Sequence, residues 1–443
     1  MTGKRHKVLL ITYYFPPSGG SGVQRPLKFV KYLREFGWEP VVLTAANADY
    51  PAYDQTLLQE IPNNVHIYRS RIIEPYRLYR KFTGRQANES TDIATLTLDE
   101  QDKHKLSERV AEWVRSALFV PDARIGWLPF AVDMGKKIIA SENIDVILST
   151  APPYTTHLIG LSLHKLYGIP WVADFRDSWI GWLSTPQWRP KLSRTLERRM
   201  EAAVLARASR LLSVTPGVKE DLLSRNPRYR DDRWQLLYNG YDAEDFAGVT
   251  PAPKHDKITI IYSGSLYGNR NPEYLLRALE ELHKEDSPLL NKIRLLFVGR
   301  IGEAIIRRMQ ESPVNSIIER VPYVTHTASL QHLLGSNIAL LIIDDAPENA
   351  GILTGKLFEY IGAGLPILAL APEGNAADLI RQYKLGLIAH PKRVEEIKQA
   401  LAAMVAACAG GAVSWNTTKH DRFERRVLTG ELANILASVM KKL

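Results

Sequence analysis

Lys356 and Glu359 stand three residues apart in the segment KLFEYIGAG, behind a Gly-containing loop. On a helix the ammonium and the carboxylate share one face, and Leu357, Phe358 and Ile361 take the other, where they can bury against a sheet. The preceding Gly351, Ile352, Leu353 and Thr354 deliver a helix N-terminus, whose unpaired N–H groups and positive dipole end attract phosphate oxygens. Lys356 adds a full positive charge beside them. A carboxylate one turn on can accept two hydroxyl hydrogens, as the vicinal hydroxyls of a ribose require. The segment thus reads as a holder of a diphosphate and a sugar together. The plainer reading is a surface ion pair of about 0.2–0.5 kcal/mol on a sheet-covering helix, and the rest of the chain must decide between the two.

Further clusters point the same way. The turn YYFPPSGGSG crowds Gly19, Gly20 and Gly22 after two prolines, tighter than the dinucleotide fingerprint G-x-G-x-x-G. It allows close backbone approach to a phosphate with Arg25 just inside the next helix, or is a tight turn with a solvent-facing arginine. The loop GSLYGNRNP, with Gly264 and Ser265 at its start, brings Arg270 to a helix entrance as another phosphate candidate. In DFRDSWIGW, Asp174, Arg176 and Asp177 fall at the carboxyl end of a strand, the catalytic edge of an open α/β sheet. Trp179 and Trp182 behind them can cover a sugar or cap the core. Asn239-Gly240-Tyr241-Asp242 is a turn signature.

The elements that must position these residues alternate. A continuous apolar run over 8–12 suits a central parallel strand covered on both faces; a helix over 23–37 and a strand over 40–44 complete a βαβ unit. After a possible strand over 67–71, the basic and aromatic stretch 69–85 is either a solvated helix or a face for an anionic membrane or an acceptor. The polar segment 86–105 reads as a mobile insertion. The rhythm resumes with a helix over 130–141, strand 145–150, helix 155–167, strand 171–173, a basic helix over 191–207, and strands at 211–215 and 236–238. A second series follows: strands at 259–263, 293–298, 317–321 and 338–343, helices at 273–285, 303–311 and 330–334. The expected fold is α/β, with two Rossmann-like parallel-sheet domains facing across a cleft. The first domain is expected over residues 1–243, a linker over 244–257 and the second domain over 258–412. The tail 413–443 is expected to be helical from Trp415 and to pack back on the first domain.

Composition narrows the classes. With 443 residues, 45% apolar and 24% charged, the chain buries ample core for two domains. No apolar run approaches the roughly 18 residues of a spanning helix, and MTGKRHKVLLITYY passes from a basic tail straight into a strand, so a cytosolic location is expected. The lone Cys408 reads as a small core residue and excludes a disulfide within the chain. A net charge of +9 suits phosphates, an acidic membrane face or nucleic acid; the basic residues are spread widely and no nucleic-acid recognition motif is present. No Cys/His cluster has zinc spacing, and no Asp-x-Asp pair is placed to hold a divalent ion against a diphosphate.

The order of parts resembles the GT-B fold glycosyltransferases, specifically glycosyltransferase family 4, over nearly the whole chain. FPPSGGSGVQR resembles the family's first Gly-rich loop, LYNGYD its Asn-Gly-Val-Asp turn, GSLYGNRNP its Gly-Arg-Leu loop and KLFEYIGAGLP its nucleotide-binding helix. APPY and DFRDSW resemble a subset that builds bacterial polysaccharides. The resemblance implies a retaining, metal-independent hexosyltransferase that uses a nucleotide diphosphate sugar as co-substrate with no further cofactor. It also implies a glycan or lipid-linked acceptor, with peripheral contact to the inner face of an anionic membrane and no nucleic acid. Glu359 matches the ribose-binding Glu, Arg270 the basic phosphate ligand, and Gly19 and Gly20 the loop near the donor phosphates. Three positions depart from the pattern. Gly351 stands where the first of a glutamate pair belongs, with Glu348 nearby; Ser265 stands where arginine is common; Arg176 replaces a histidine. On this reading Lys356 supplies the charge missing at Ser265, and Arg176 or Asp177 takes over the histidine's contact to the transferred sugar. The rivals are a nucleotide-sugar epimerase, a phosphorylase, or a non-catalytic nucleotide- or glycan-binding subunit.

Overall fold

The computed structural model describes residues 5–50, 52–74, 119–180, 189–268, 270–410, 415–417 and 420–440. Most of the stretch 69–85, the segment 86–105 and Trp182 lie outside them. The chain divides into two compact units: Met1–Tyr238 with Arg425–Leu443, and Asn239–Glu424.

The first unit is built on seven strands: β1 (His6–Ile11), β2 (Trp38–Ala45), β3 (His66–Ser70), β4 (Val146–Ala151), β5 (Trp171–Phe175), β6 (Arg210–Ser213) and β7 (Trp234–Leu236). They pair in parallel in the order β3-β2-β1-β4-β5-β6-β7. Val8, Leu9, Leu10 and Ile11 are all fully buried, as a central strand with helices on both faces requires. The helices Thr155–Tyr167 and Lys191–Arg207 occupy the ranges read from the sequence.

The second unit holds β8 (Ile258–Ser263), β9 (Ile293–Val298), β10 (Ile318–Val321), β11 (Ile338–Ile342), β12 (Ile367–Leu370) and β13 (Gly386–Ala389), parallel in the order β10-β9-β8-β11-β12-β13. Each sheet thus reverses its strand order once, between β1 and β4 in the first and between β8 and β11 in the second. Such reversal points, at the carboxyl ends of the strands, are where open α/β sheets receive ligands.

Two expectations are corrected. The tail is not helical from Trp415: the helix is Arg425–Met440, preceded by a short 3-10 turn, Asp421–Phe423. Glu424 leaves that turn in extended conformation and forms a parallel bridge with Tyr241, whose N–H donates to Phe423 O (2.8 Å), and Phe423 packs on Phe358 at 5.5 Å; these contacts interrupt the helix that the sequence suggested. The strand expected over 171–173 runs on to Phe175 as β5, so Asp174 lies inside its carboxyl end, fully buried.

Candidate functional site

The second unit's reversal point gathers most of the charged candidates. β8 ends at Ser263 and the chain turns at Gly264, whose φ of +131° lies in the region that favours glycine. A Cβ there would sit 2.0 Å from Lys356 Cε, so Gly264 leaves the passage through which the lysine runs. Lys356 lies in the first turn of helix Gly355–Ala363, with Nζ 5.5 Å from the Tyr262 ring centroid. Tyr262 is buried, and its hydroxyl donates to Ser265 O at 3.0 Å. Burial and then the neighbouring charge of Arg270 push the Lys356 ammonium down to about 8, while Glu359 pulls the other way.

Arg270 is presented by a tight turn in which Tyr267 and Arg270 exchange backbone hydrogen bonds of 3.1 Å, with its guanidinium 5.9 Å from the Tyr267 ring. Among the described residues neither Lys356 nor Arg270 forms an ion pair with a carboxylate. The plain Lys356–Glu359 ion pair is therefore not formed. Glu359 instead faces His326, Nε2 to Oε1 3.5 Å, from the helix His326–Leu334.

The loop before the helix makes a short turn, Pro347–Gly351, in which Ile352 N–H bonds Asn349 O. Leu353 is buried, and Thr354 occupies the N-cap without donating or accepting through its side chain. Thr354 Oγ1 is buried without a hydrogen-bond partner at a helix N-terminus that carries no acidic residue in its first turn. Asn239, half-buried, begins this unit; the Asn-Gly-Tyr-Asp turn packs under the helix, with Tyr241 carbons 2.8 Å from where a Gly362 Cβ would lie. Asp242 Oδ1 accepts from Glu244 N–H (3.1 Å) and caps the helix Ala243–Phe246.

In the first unit the reversal point is closed by arginines. Pro26 lies inside the helix Ser21–Tyr32 and has no N–H to give to the carbonyl of Gly22. Arg176 Nη1 donates to that carbonyl at 2.5 Å, and its other nitrogens donate to Ala151 O and Pro152 O. One guanidinium thereby ties the first turn of that helix to the end of β4 and the residue after it. Gly19 N–H donates to Ala52 O (2.8 Å), while Gly20 is exposed with a positive φ. Arg25 is neither a phosphate ligand in waiting nor solvent-facing: it is buried and grips Asp174 through two bonds, Nε–Oδ2 3.0 Å and Nη2–Oδ1 2.8 Å. Burial raises the Asp174 pKa, but Arg25 and the hydrogen bond from Thr150 outweigh it and hold the carboxyl below its ordinary range. Asp177 is exposed. Trp179 is fully buried, stacked on Tyr154 at 4.7 Å, and caps the core. Beside it, His157 is fully buried; its Nδ1 pairs with Ser149 Oγ at 2.8 Å, and burial pushes its pKa down to about 3.

Sequence reasoning did not single out Tyr262, His326 or the Arg25–Asp174 pair. Tyr262 sits within an apolar strand and His326 in a polar loop-to-helix junction, so neither carries a local signal of its role.

The profile described as Glycosyltransferase Family 4 matches residues 85–245, and Glycosyl transferases group 1 matches residues 248–407. Among solved structures, the N-terminal domain of Candida albicans trehalose-6-phosphate phosphatase has a TM-score of 0.62 at 12% identity, over 98% of this chain and 97% of that one. S. aureus TarM, solved with fondaparinux, α-GlcNAc-glycerol and UDP, has a TM-score of 0.57 at 9% identity, over 98% and 100%. A putative UDP-N-acetylglucosamine 2-epimerase from Listeria monocytogenes has a TM-score of 0.55 at 14% identity, over 99% and 98%. No curated protein sequence matches significantly. At such identities the structures speak for the fold alone, and two parallel-sheet α/β units are the GT-B fold. The two profiles together settle the family: the chain belongs to the family 4-like GT-B glycosyltransferases.

Proposed function

We propose that the protein transfers a hexose from a nucleotide diphosphate sugar to a glycan or lipid-linked acceptor, with retention of configuration and without a metal ion, in bacterial cell-surface polysaccharide synthesis. The observation that carries this reading is the pair Lys356 and Arg270, two cations close enough for the charge of Arg270 to depress the Lys356 pKa and neither paired with a carboxylate among the described residues. Like charges held together are stabilised by an anion, and a diphosphate supplies one. The unpartnered Thr354 Oγ1 and the helix N-terminus add donors on the same side.

In transfer, negative charge grows on the departing diphosphate, and Lys356, Arg270 and the helix-end N–H groups offset it. Glu359, oriented by His326, accepts from the ribose hydroxyls. Gly264, Ser265, Gly351, Ile352 and Leu353 shape the main chain around the donor. The acceptor hydroxyl approaches on the face the diphosphate leaves, its proton passing to a phosphate oxygen or to the exposed carboxylate of Asp177. Arg176, with three carbonyls on its guanidinium, serves as a positioning residue for the loops of Gly19, Gly20 and Gly22.

We further propose that the protein works at the inner face of the cytoplasmic membrane as a peripheral partner. No helix among the described residues is long and apolar enough to cross a membrane. The helix Lys191–Arg207 exposes Lys191, Arg194, Arg198, Arg199 and Arg207 together with Leu192, while Glu197 and Glu201 are buried against Arg189 and Arg225. Its exposed residues are thus basic and apolar apart from Thr195, with no acid among them, a composition that suits anionic lipid.

The test is nucleotide release from UDP-, GDP- and other activated sugars, with and without a bacterial lipid extract. Release that requires acceptor and is lost in Lys356→Met and Glu359→Ala supports transfer. Conversion of the donor sugar with no acceptor would identify an epimerase. Nucleotide binding without turnover would identify a binding subunit.

A further inference from the structure

The two strands at the second unit's reversal point part before they end. β8 and β11 pair only at Ile338 with Ile260 and at Ala339 with Ile261, yet β8 runs on to Ser263 and β11 to Ile342. Buried backbone groups in such a gap need a partner other than the ladder. The Tyr360 phenol supplies one to each strand: its oxygen accepts from Ser263 N–H (3.2 Å), and its own O–H donates to Leu340 O (3.1 Å). The side chain is fully buried, and burial pushes its pKa up, so it stays a hydroxyl and keeps its donor.

Tyr360 belongs to the helix Gly355–Ala363, one turn after Lys356 and next to Glu359. That turn engages three successive residues at the end of β8. The Tyr262 ring lies 5.5 Å from Lys356 Nζ, Ser263 N–H meets the Tyr360 hydroxyl, and Gly264 leaves room for Lys356 Cε. Ser263 has a second tie, Oγ to Ser329 Oγ at 2.7 Å, and Ser329 stands three residues after His326, which faces Glu359. One strand end thus joins the helix of Lys356 and Glu359 to the helix of His326.

Resting on the reading of this edge as the nucleotide-sugar site, we infer that Tyr360 is a positioning residue: its hydroxyl completes the sheet where β8 and β11 part and so fixes the helical turn that presents Lys356 and Glu359. Phenylalanine fills nearly the same volume but leaves Ser263 N–H and Leu340 O unanswered, which draws water into the gap. The passage of Lys356 beside Gly264 is then wetter. Its ammonium, which faces the Tyr262 ring and the charges of Arg270 and Glu359, loses part of the burial that lowers its pKa.

Two measurements on the full chain test this. NMR of 13C-labelled lysine side chains, with Lys356→Met to assign the signal, follows the Lys356 titration with no ligand present. Calorimetry with UDP and GDP at pH 6.5, where the lysine is charged in both proteins, reads its placement rather than its charge. In Tyr360→Phe the titration midpoint rises from about 8 by about one pH unit or more, and affinity for both nucleotides falls about ten-fold. An unchanged midpoint, or equal affinity where the wild type does bind, leaves only a packing role and overturns the inference, whatever the fall in melting temperature. If Tyr360→Phe does not fold, Ser329→Ala carries the test by loosening the same strand end at a half-buried site: a raised midpoint supports the inference and an unchanged one overturns it. A wild type that binds neither nucleotide overturns the nucleotide reading, and the titration alone then decides whether Tyr360 positions Lys356.

Discussion

At the scale of single residues, Lys356 decides the chemistry. Its pKa near 8 in the free protein means that it is charged below that value and neutral above it. A diphosphate favours the charged form, so donor affinity is level below about pH 7 and falls about ten-fold per unit as pH rises past 8. Calorimetric titrations across pH 6.5–9.5 check this, and Lys356→Met gives a flat profile with affinity lower by about 10- to 100-fold, the worth of one charge-assisted contact. Gly264→Ala places a methyl on the lysine's path and forces a positive φ on a non-glycine residue. Its expected outcome is a weaker donor site and a lower melting temperature, read by calorimetry and thermal unfolding. Sequence spacing put Lys356 and Glu359 on one face, as the helix shows. It could not show that Lys356 turns from Glu359 toward Tyr262, because that contact joins residues far apart in the chain.

At the scale of elements, the helix Thr155–Tyr167 and strand β5 enclose His157 so fully that it stays neutral. Its folded pKa of about 3 lies below the ordinary value near 6.5. Stability from this group is complete above pH 6.5 and is lost as pH falls toward 3, because only the unfolded chain takes up the proton in that window. The loss reaches about 4 kcal/mol at pH 3. Denaturant unfolding from pH 7 to 4 should show a shallower slope for His157→Gln than for the wild type; identical slopes would refute the neutral histidine. The helix Lys191–Arg207 makes a separate prediction. Arg194→Glu with Arg198→Glu lowers cosedimentation with vesicles containing anionic lipid by at least about ten-fold, since each basic residue near such a surface is worth about 1 kcal/mol. Added salt does the same to the wild type, and equal binding to neutral vesicles would exclude an electrostatic surface.

At the scale of the whole molecule, the second unit is one continuous piece and the first is closed by the chain's last helix. Leu428, Leu432 and Leu436 of helix Arg425–Met440 share a core with Val8, Leu10, Phe29, Val30 and Leu33. A chain ending at Glu424 leaves that core uncovered and should be recovered mostly as aggregate. Residues 239–424 expressed alone should remain soluble and melt in a single transition. Soluble yield and thermal unfolding of the two truncations check both outcomes.

What the sequence determined by itself is the alternation of strand and helix and the loops between them. Periodicity and turn chemistry are local, and continuous apolar runs such as β1 declare a sheet covered on both faces. The motifs placed Gly264, Arg270, Lys356 and Glu359 on loops and helix starts for the same reason. Only the tertiary structure decided which charges are used inside the protein and which stay open. Arg25 meets Asp174 across 149 residues, and Arg176 meets Gly22 across 154. A side chain's charge is local to the sequence, whereas its burial and its counter-charge are set by whatever the fold brings beside it. That is why Arg25 is a buried strut, Arg176 a brace between a helix start and a strand end, and Lys356 with Arg270 a pair of cations that meets no carboxylate among the described residues, at the edge of the second sheet.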